Sequence, residues 1–198
     1  SNECLTIHPI GNFSKAELGG KDFELVKCNP FFQKELFLNL NSIVEKENFA
    51  FPVILEQTHH GPFLSKPTVF IEIGSTIKEW SNEKACEIIA ETIVKTIKER
   101  NFDSSSFPVA LGCGGLHYCH ELTKVEANSN IALSHIMSKM VIEKLDFEGF
   151  EKAVNASTVK PELVVIDWKG TNALHREKVL EFSGKLGLPF KKSKTILK

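Results

Sequence analysis

Residues 107–118, FPVALGCGGLHY, join a short apolar run to a glycine-rich turn and a histidine. The apolar part, 107–111, predicts a buried strand, and the glycines after it predict a tight turn. Residues 51–62, FPVILEQTHHGP, have the same plan, with a predicted strand over 51–58 that leads to His59, His60 and Gly61. In an open α/β sheet, ligands bind in the crevice at the carboxyl ends of the strands. The two stretches together predict an α/β sheet with a functional site at its edge.

The rest of the chain alternates predicted strands with predicted helices. Asn29-Pro30 is a good helix start, with Asn as the N-cap and Pro in the first turn, and Asn82 is a second N-cap. Strands are predicted over 5–8, 68–73, 163–166 and, at an edge, 189–194; helices over 83–100, 146–156 and 174–186; a strand and then a helix within 131–145; and a loop over 11–27. This alternation predicts a mixed, largely parallel sheet flanked by helices, in a single domain over 1–198.

Composition narrows the function classes. The 198 residues carry a net charge of −1, so a global basic field of the kind that marks many nucleic-acid-binding domains is absent. No apolar run approaches the 18 residues that a membrane-spanning helix needs, and no membrane association is expected. The five cysteines include no CxxC pair, which favours reduced thiols and a cytoplasmic location. The chain opens directly on a predicted strand without an initiator methionine, so we expect residues upstream.

Histidines and carboxylates are the candidate catalytic groups. Neighbouring side chains on a strand face opposite ways, but the turn before Gly61 relaxes this restriction for His59 and His60. Glu72 interrupts the apolar strand 68–73, where it would either orient a histidine or, on an edge strand, face solvent. His117 follows the glycine turn and is a candidate base, acid or ligand. Each histidine could instead be a structural residue with satisfied hydrogen bonds.

The glycine turn could also bind an anion. Gly112, Gly114 and Gly115 let successive backbone N–H groups converge, as in a nest that stabilises an oxyanion, although such clusters are often simple turns. Cys119 beside His120 suggests a nucleophile with its base, but the sequence shows no third residue to orient the histidine. Further candidates to contact a substrate are Thr58, Tyr118, His135, Asp167 and Lys169, with the alternative that they pack, cap or pair ions. Lysines concentrate at the end of the chain, where a phosphate-binding patch or a solvated tail would explain them: Lys185, Lys191, Lys192, Lys194 and Lys198.

Several motifs, in order and over nearly the whole chain, resemble the archaeal and plant type of D-aminoacyl-tRNA deacylase. These are LTIHPIGNF at 5–13, EQTHHGP at 56–62, FIEIGST at 70–76, the glycine turn at 112–118 and DWKG at 167–170. The resemblance implies a fold like that of phosphorylases and peptidyl-tRNA hydrolases, and hydrolysis of the ester between a D-amino acid and tRNA. It also implies zinc dependence, although no HExxH or HxxxH spacing supports a metal site by itself. The family has a segment before the His8 motif that this chain is expected to lack.

A mechanism follows from this resemblance. We expect D-aminoacyl-tRNA to enter between the two histidine turns, with no obligate protein partner. His59, His60, His117 and Glu72 are the predicted catalytic residues, and His60 and His117 the predicted zinc ligands. The predicted oxyanion donors are N–H groups near Gly114 and Gly115, and the lysines at the end of the chain would contact tRNA phosphates. The alternatives are a zinc-dependent small-molecule hydrolase or a phosphorylase on a similar fold, and an inactive tRNA-binding domain.

Overall fold

The computed structural model describes residues 3–99 and 107–197. Within them the chain forms two sheets that are joined edge to edge. The strands are β1 (Cys4–Pro9), β2 (Val53–Leu55), β3 (Val69–Gly74), β4 (Val109–Cys113), β5 (Ala132–Met137), β6 (Leu163–Ile166) and β7 (Phe190–Lys192). The helices are α1 (Pro30–Lys46), α2 (Ile77–Trp80), α3 (Glu83–Lys98), α4 (His120–Asn128), α5 (Lys139–Lys144), α6 (Phe147–Asn155), α7 (Ala173–Lys185) and α8 (Ser193–Ile196).

The larger sheet has the order β5-β4-β6-β7, and all of its strands are parallel. The smaller sheet has the order β2-β1-β3, with β2 parallel and β3 antiparallel to β1. Thr58 joins the two sheets, because its N–H donates to Ile136 O at 2.9 Å and its hydroxyl accepts from Ile136 N–H at 3.0 Å. The prediction of a mixed, largely parallel sheet flanked by helices is therefore confirmed.

Alternation along the strands divides the apolar core between the two faces of the larger sheet. Ala110 and Val165 pack into the cluster that includes Phe37 and Leu40 of α1. Leu111 and Cys113 pack with side chains of α6 and α7 on the opposite face, among them Phe150, Val179 and Phe182. A parallel strand covered on both faces carries apolar residues at every position. This explains the uninterrupted apolar runs of β4 and β6.

Several predicted boundaries were wrong, and each error has a local cause. The strand predicted over 51–58 contains only three β2 residues. The N–H of Glu56 still donates to Ile7 O of β1, but the N–H groups of Gln57 and Thr58 donate elsewhere, to His117 O and Ile136 O. The strand predicted over 107–111 begins and ends two residues later. Helices α2, α4 and α8 were not predicted, since their short apolar patterns are interrupted by polar residues. The predicted helix 83–100 is α3, and residue 100 lies outside the described residues.

Two further features concern the cysteines and the possibility of a membrane-spanning helix. All five cysteines are free thiols. Among the described residues, no helix is both long enough and apolar enough to cross a membrane.

Candidate active site

The register of the smaller sheet brings His8 and Glu72 together. Leu5 and Ile7 of β1 point into the apolar core, so Thr6 and His8 point to the other side of the strand. β3 runs antiparallel to β1, and Thr6 lies opposite Glu72. As a result, the Glu72 carboxylate lies on the same side as His8, with 3.4 Å between Glu72 Oε1 and His8 Nε2.

The turn at 59–60 adds two more imidazoles to the same place. His59 forms a parallel bridge with Ile10, and His60 has a φ of +41°, in the left-handed region that non-glycine residues rarely adopt. The N–H of Gly11 donates to the His60 carbonyl at 2.8 Å and holds this conformation. The ring centroids of His59 and His60 lie 4.2 and 4.9 Å from that of His8. The rings of the adjacent residues His59 and His60 therefore both reach His8, because the backbone is not a regular strand there.

A glycine contact fixes this turn against the loop that follows β1. A side chain at Gly61 would overlap the backbone of Gly20. The loop itself is closed by Asn12, whose amide donates to Gly19 O at 2.9 Å and to Lys21 O at 3.3 Å. The segment predicted as a loop over 11–27 is therefore the support that holds the histidine turn in position.

Three of the imidazoles are fixed in the same way. The Nδ1 atoms of His8, His59 and His60 lie 3.0, 2.8 and 2.6 Å from the carbonyl oxygens of Pro9, Gln57 and Gly61 respectively. A carbonyl oxygen can only accept, so each Nδ1 carries its hydrogen and donates. In the neutral imidazole the lone pair then lies on Nε2. One ring nitrogen from each of the three histidines lies within 4.8 Å of the other two.

Glu56 is the second carboxylate of the cluster. It is only 4% exposed and follows β2 directly. Its Oε2 lies 3.1 Å from His117 Nε2 and 3.4 Å from His59 Nε2. Burial alone raises the pKa of the Glu56 carboxyl, but the hydrogen bond from His117 and the charges of His8 and His117 together hold that pKa below its ordinary value. Glu56 is therefore a buried, ionised carboxylate between two imidazoles.

His117 is the most exposed imidazole of the cluster, with 45% of its side chain accessible to solvent. The hydrogen bond to Glu56 raises its pKa above the ordinary value, although burial acts in the opposite direction. The amide nitrogen of Gln57 lies 3.5 Å from His117 Nδ1, where it can donate to a lone pair. This arrangement leaves Nε2–H directed at Glu56 and Nδ1 able to accept a proton.

His59 and Glu72 differ from His117 in their protonation. Burial lowers the pKa of His59 to about 4, and the charge of His8 adds to this effect, so His59 is neutral near pH 7. The contact with His8 holds the pKa of Glu72 below its ordinary value. Glu72 lies on the edge strand β3 and is 37% exposed, yet its Oε1 is 3.4 and 3.5 Å from His8 Nε2 and His60 Nε2. Glu72 therefore lies on a partly solvent-exposed edge strand and also contacts two histidines, so the two alternatives from the sequence do not exclude each other.

The donor set fits a divalent cation. His8 Nε2 is buried, and the Nε2 atoms of His8 and His60 lie 3.4 and 3.5 Å from Glu72 Oε1. A carboxylate so placed is stabilised by a positive charge, which either a proton on Nε2 or a bound cation supplies. Neutral imidazoles with Nδ1 bound to a backbone carbonyl are the usual ligands of zinc. The candidate ligand groups are His8 with His59 and His60, Glu56 with His59 and His117, and His8 with Glu56 and Glu72.

The structure separates the two predicted zinc ligands. His60 contacts Glu72 and the ring of His8, whereas His117 contacts Glu56 and the ring of His59. Among the described residues, no candidate ligand group contains both His60 and His117. That His60 and His117 bind zinc therefore stays a prediction, and the geometry alone groups His60 with His8 and His59.

Several residues predicted to contact substrate lie inside the protein. His135 is fully buried, with Nδ1 3.0 Å from the Thr58 hydroxyl and Nε2 2.8 Å from Ala156 O, and burial lowers its pKa to about 4. Thr58 is buried as well and bonds to Ile136. Both side chains join the two sheets below the cluster instead of facing a substrate.

The glycine turn does not offer the Gly114 N–H to the predicted oxyanion nest. Gly112 lies within β4, where a side chain would press on Ile136 and Leu122. The N–H of Gly114 is already used, because it donates to Met137 O at 2.8 Å. Gly115 packs against the 167–170 segment, since a side chain on Gly170 would lie 2.8 Å from Gly115 N. The glycines allow close packing of two loops and a positive φ, and they carry the chain to His117.

The remaining candidates have structural contacts. The carboxylate of Asp167 accepts from Gly170 N–H at 2.9 Å, and Lys169 is exposed beside it. Burial raises the pKa of Tyr118 to about 12, and its hydroxyl contacts the buried thiol of Cys4. Burial also raises the pKa of Cys119 to about 12, which makes it a poor nucleophile. Tyr118 still packs edge-on against the His117 ring, with centroids 5.1 Å apart, and so helps to position it.

Glu56 is the residue that the sequence argument missed. It lies within the quoted motif at 56–62 but directly follows the apolar run Val53-Ile54-Leu55. A carboxylate at the end of a buried strand is costly unless it is paired, and that is the signal that could have found it.

Comparison with known proteins identifies the family. The sequence model of D-aminoacyl-tRNA deacylase matches residues 1–191. This chain belongs to the D-aminoacyl-tRNA deacylase family. It is 41% identical to the D-aminoacyl-tRNA deacylase of Pyrococcus furiosus over 187 residues and 34% identical to that of Archaeoglobus fulgidus over 197 residues. These alignments cover 94% and 99% of this chain, and 66% and 69% of the two relatives.

A solved structure has the same fold. It is a crystal structure of a conserved protein of unknown function that is 34% identical to this chain, with a TM-score of 0.89, and the match covers 99% of this chain and 68% of the other. This chain therefore spans about two thirds of the length of the family members that it matches. The suspected family is confirmed.

Proposed function

We propose that this chain hydrolyses the ester bond of D-aminoacyl-tRNA and releases a free D-amino acid and tRNA. The family match over 1–191 carries this proposal, and a cluster of four histidines and two carboxylates supports it. Family membership favours this activity over the small-molecule hydrolase, the phosphorylase and the inactive tRNA-binding domain. The cytoplasmic location stays a prediction.

We infer that His8, His59 and His60 hold a zinc ion, with Glu72 beside them. Each of these histidines has Nδ1 bound to a backbone carbonyl and an Nε2 lone pair that points into the cluster. Glu72 supplies the negative charge that a divalent ion requires next to neutral imidazoles. When bound, zinc would supply a positive charge that polarises the ester carbonyl.

His117 is the general base in this proposal. Its Nδ1 takes a proton from water as the water oxygen bonds to the ester carbonyl carbon. The carbon–oxygen bond to the ribose then breaks, and Nδ1 returns the proton to the ribose oxygen. Glu56 accepts from Nε2–H at 3.1 Å and stabilises the imidazolium that exists between the two transfers. This follows the logic of other carboxylate–histidine pairs, in which the carboxylate orients the ring.

The first experiment compares D-tyrosyl-tRNA with L-tyrosyl-tRNA, with and without a chelator, and follows ester loss. Selective loss of the D-ester supports the proposed activity, and its suppression by the chelator, with recovery on adding zinc, supports the metal. Loss of both esters at equal rates would contradict the stereochemical part. Loss of neither would contradict the proposed activity for this chain.

Two variants separate the metal ligands from the base. His8→Ala should lower the zinc content measured by atomic absorption, because it removes one of three converging ring nitrogens. His117→Ala should keep the zinc content and lower kcat, since its Nε2 is directed at Glu56. The reverse pattern, with zinc lost from the His117 variant alone, would place the ion at Glu56, His59 and His117 instead.

A further inference from the structure

Aromatic and basic side chains from β7, from α7 and from the segment after β6 form a patch. The Trp168 and Phe190 rings lie nearly parallel, with centroids 6.3 Å apart and an interplanar angle of 17°. The Lys192 ammonium lies 4.0 Å from the centroid of the Trp168 ring, and the Arg176 guanidinium carbon lies 4.7 Å from it. Phe190 is 41% exposed, so one aromatic surface of the patch faces solvent.

The cations of this patch have no carboxylate partners. Within residues 3–99 and 107–197, no ion pair involves Lys169, Arg176, Lys191, Lys192 or Lys194, whereas Lys185 pairs with Glu181 at 2.6 Å. Lys198, the last residue of the chain, lies outside the described residues. The nearest acid in sequence, Asp167, is 8% exposed and accepts from Gly170 N–H. The patch therefore presents positive charge that no carboxylate of the described residues neutralises.

Arg176 is held in place by the backbone. One guanidinium nitrogen donates to Trp168 O and to Thr171 O, at 2.8 Å each. An arginine that is fixed in this way loses little conformational freedom when it meets an anion. Its remaining N–H groups stay available, because the two carbonyls use only one of its nitrogens.

The segment that carries Trp168 packs on the turn that leads to His117. Asp167 N–H donates to Cys113 O at 2.8 Å, and Gly170 packs on Gly115, two residues before His117. β4, β6 and β7 are parallel neighbours, so their carboxyl ends lie side by side. Two strand spacings of ~4.8 Å place the end of β7 roughly 10 Å from the end of β4. A chain that leaves the cluster along this edge passes over the patch.

We propose that this aromatic and basic patch binds the single-stranded 3′ end of the tRNA substrate, in the nucleotides that precede the terminal adenosine. This inference rests on the proposed function. Proteins bind single-stranded RNA by stacking bases on exposed aromatic rings while cations follow the phosphates. Phe190 offers the ring, and Lys192, Lys169 and Arg176 offer the charge beside it.

The test compares Phe190→Ala and Lys192→Ala with Lys98→Ala, an exposed lysine of α3 with no described carboxylate partner. Hydrolysis of D-tyrosyl-tRNA is measured at several salt concentrations. Phe190→Ala should raise KM by roughly 5- to 100-fold, as expected when one stacked base loses its ring. Lys192→Ala should raise KM and reduce the slope of log KM against log salt by ~0.7. Lys98→Ala should match the wild type.

The proposal requires that binding, and not turnover, changes. An unchanged KM and salt slope in both patch variants would overturn it, and so would a loss of kcat at constant KM. A tRNA lacking its single-stranded 3′ end should bind equally to the wild type and to a variant that combines Phe190→Ala with Lys192→Ala, as measured by fluorescence anisotropy. A difference that persists with this truncated tRNA would assign the patch to the duplex and also overturn the proposal.

A failure of the proposed hydrolysis can be distinguished from a failure of the RNA-binding patch. If the wild type hydrolyses no aminoacyl ester, anisotropy with uncharged tRNA replaces the kinetics. Weaker binding by the Phe190 and Lys192 variants, but not by the Lys98 variant, would still support the RNA-binding patch. Equal binding by all four proteins would overturn the patch as well.

Discussion

Replacing Glu56 by glutamine tests the assignment of His117 as the base. The carboxylate is 4% exposed and lies 3.1 Å from His117 Nε2. A hydrogen bond to a charged group contributes about 1.5–3 kcal/mol, and the 45% exposure of His117 places this pair at the lower end. A loss of about 1.5 kcal/mol corresponds to about a tenfold fall in kcat/KM.

The sign of the pH effect follows from the direction of the His117 shift. Glu56 raises the pKa of His117, so Glu56→Gln lowers it. A base must be deprotonated to act, and kcat/KM therefore rises with pH through the pKa of His117 in the free enzyme. The rising limb should lie above pH 6.5 in the wild type and move to lower pH in the variant, while the plateau falls.

The assay is a pH profile of kcat/KM on D-tyrosyl-tRNA, with Glu79→Gln as the matched control. Glu79 is also 4% exposed and has a lowered pKa, but its carboxylate accepts from Thr76 on α2 and contacts no imidazole. A rising limb that stays at the same pH in Glu56→Gln would refute the role of His117. A wild-type limb near pH 4 would assign the base to His59 instead.

Two further predictions concern stability. Gly61→Ala should lower the free energy of unfolding by about 1–3 kcal/mol, because the new methyl group overlaps the backbone of Gly20. In urea unfolding, Gly184→Ala, which meets nothing within 4 Å, should not be destabilised, and equal midpoints for the two variants would contradict the prediction. Burial raises the pKa of Glu126 to about 7, so its contribution to stability falls as pH rises from about 4.5 to 7. Unfolding free energies over this range should fall less in Glu126→Gln than in the wild type or in the half-buried control Glu121→Gln. Parallel curves would refute this.

The sequence predicted the type of fold well because burial determines its pattern. β4 and β6 are covered on both faces and read as continuous apolar runs, and α1 and α3 begin at the asparagine caps that were expected. Helix α4 was not predicted because Glu126 interrupts its apolar face. This carboxylate is buried near Lys34, whose ammonium donates to Glu126 O, Ser129 O and Ile131 O. A buried pair between distant helices has no periodic signature.

The candidate site was predicted in part. His59, His60, His117 and Glu72 do meet in space, because strand ends in this topology converge on one edge. Which atoms they offer one another could not be predicted, since it depends on contacts between separate elements. The glycine turn illustrates this limit. Its composition suggested an anion-binding nest, but the partner of Gly114 N–H is Met137 O of the neighbouring strand.

The backbone carbonyls give the histidines of the cluster different roles. His8, His59 and His60 each direct Nδ1 at a carbonyl of the following or a nearby residue, so their Nε2 atoms are committed to the interior. His117 has no such carbonyl contact, and its Nε2 faces Glu56 instead. The same residue type therefore serves two purposes: three imidazoles with fixed inward lone pairs suit a cation, and the exposed fourth can exchange a proton with water. The motif HH at 59–60 reveals that imidazoles are present, but their roles follow from the carbonyl oxygens that the fold places beside them.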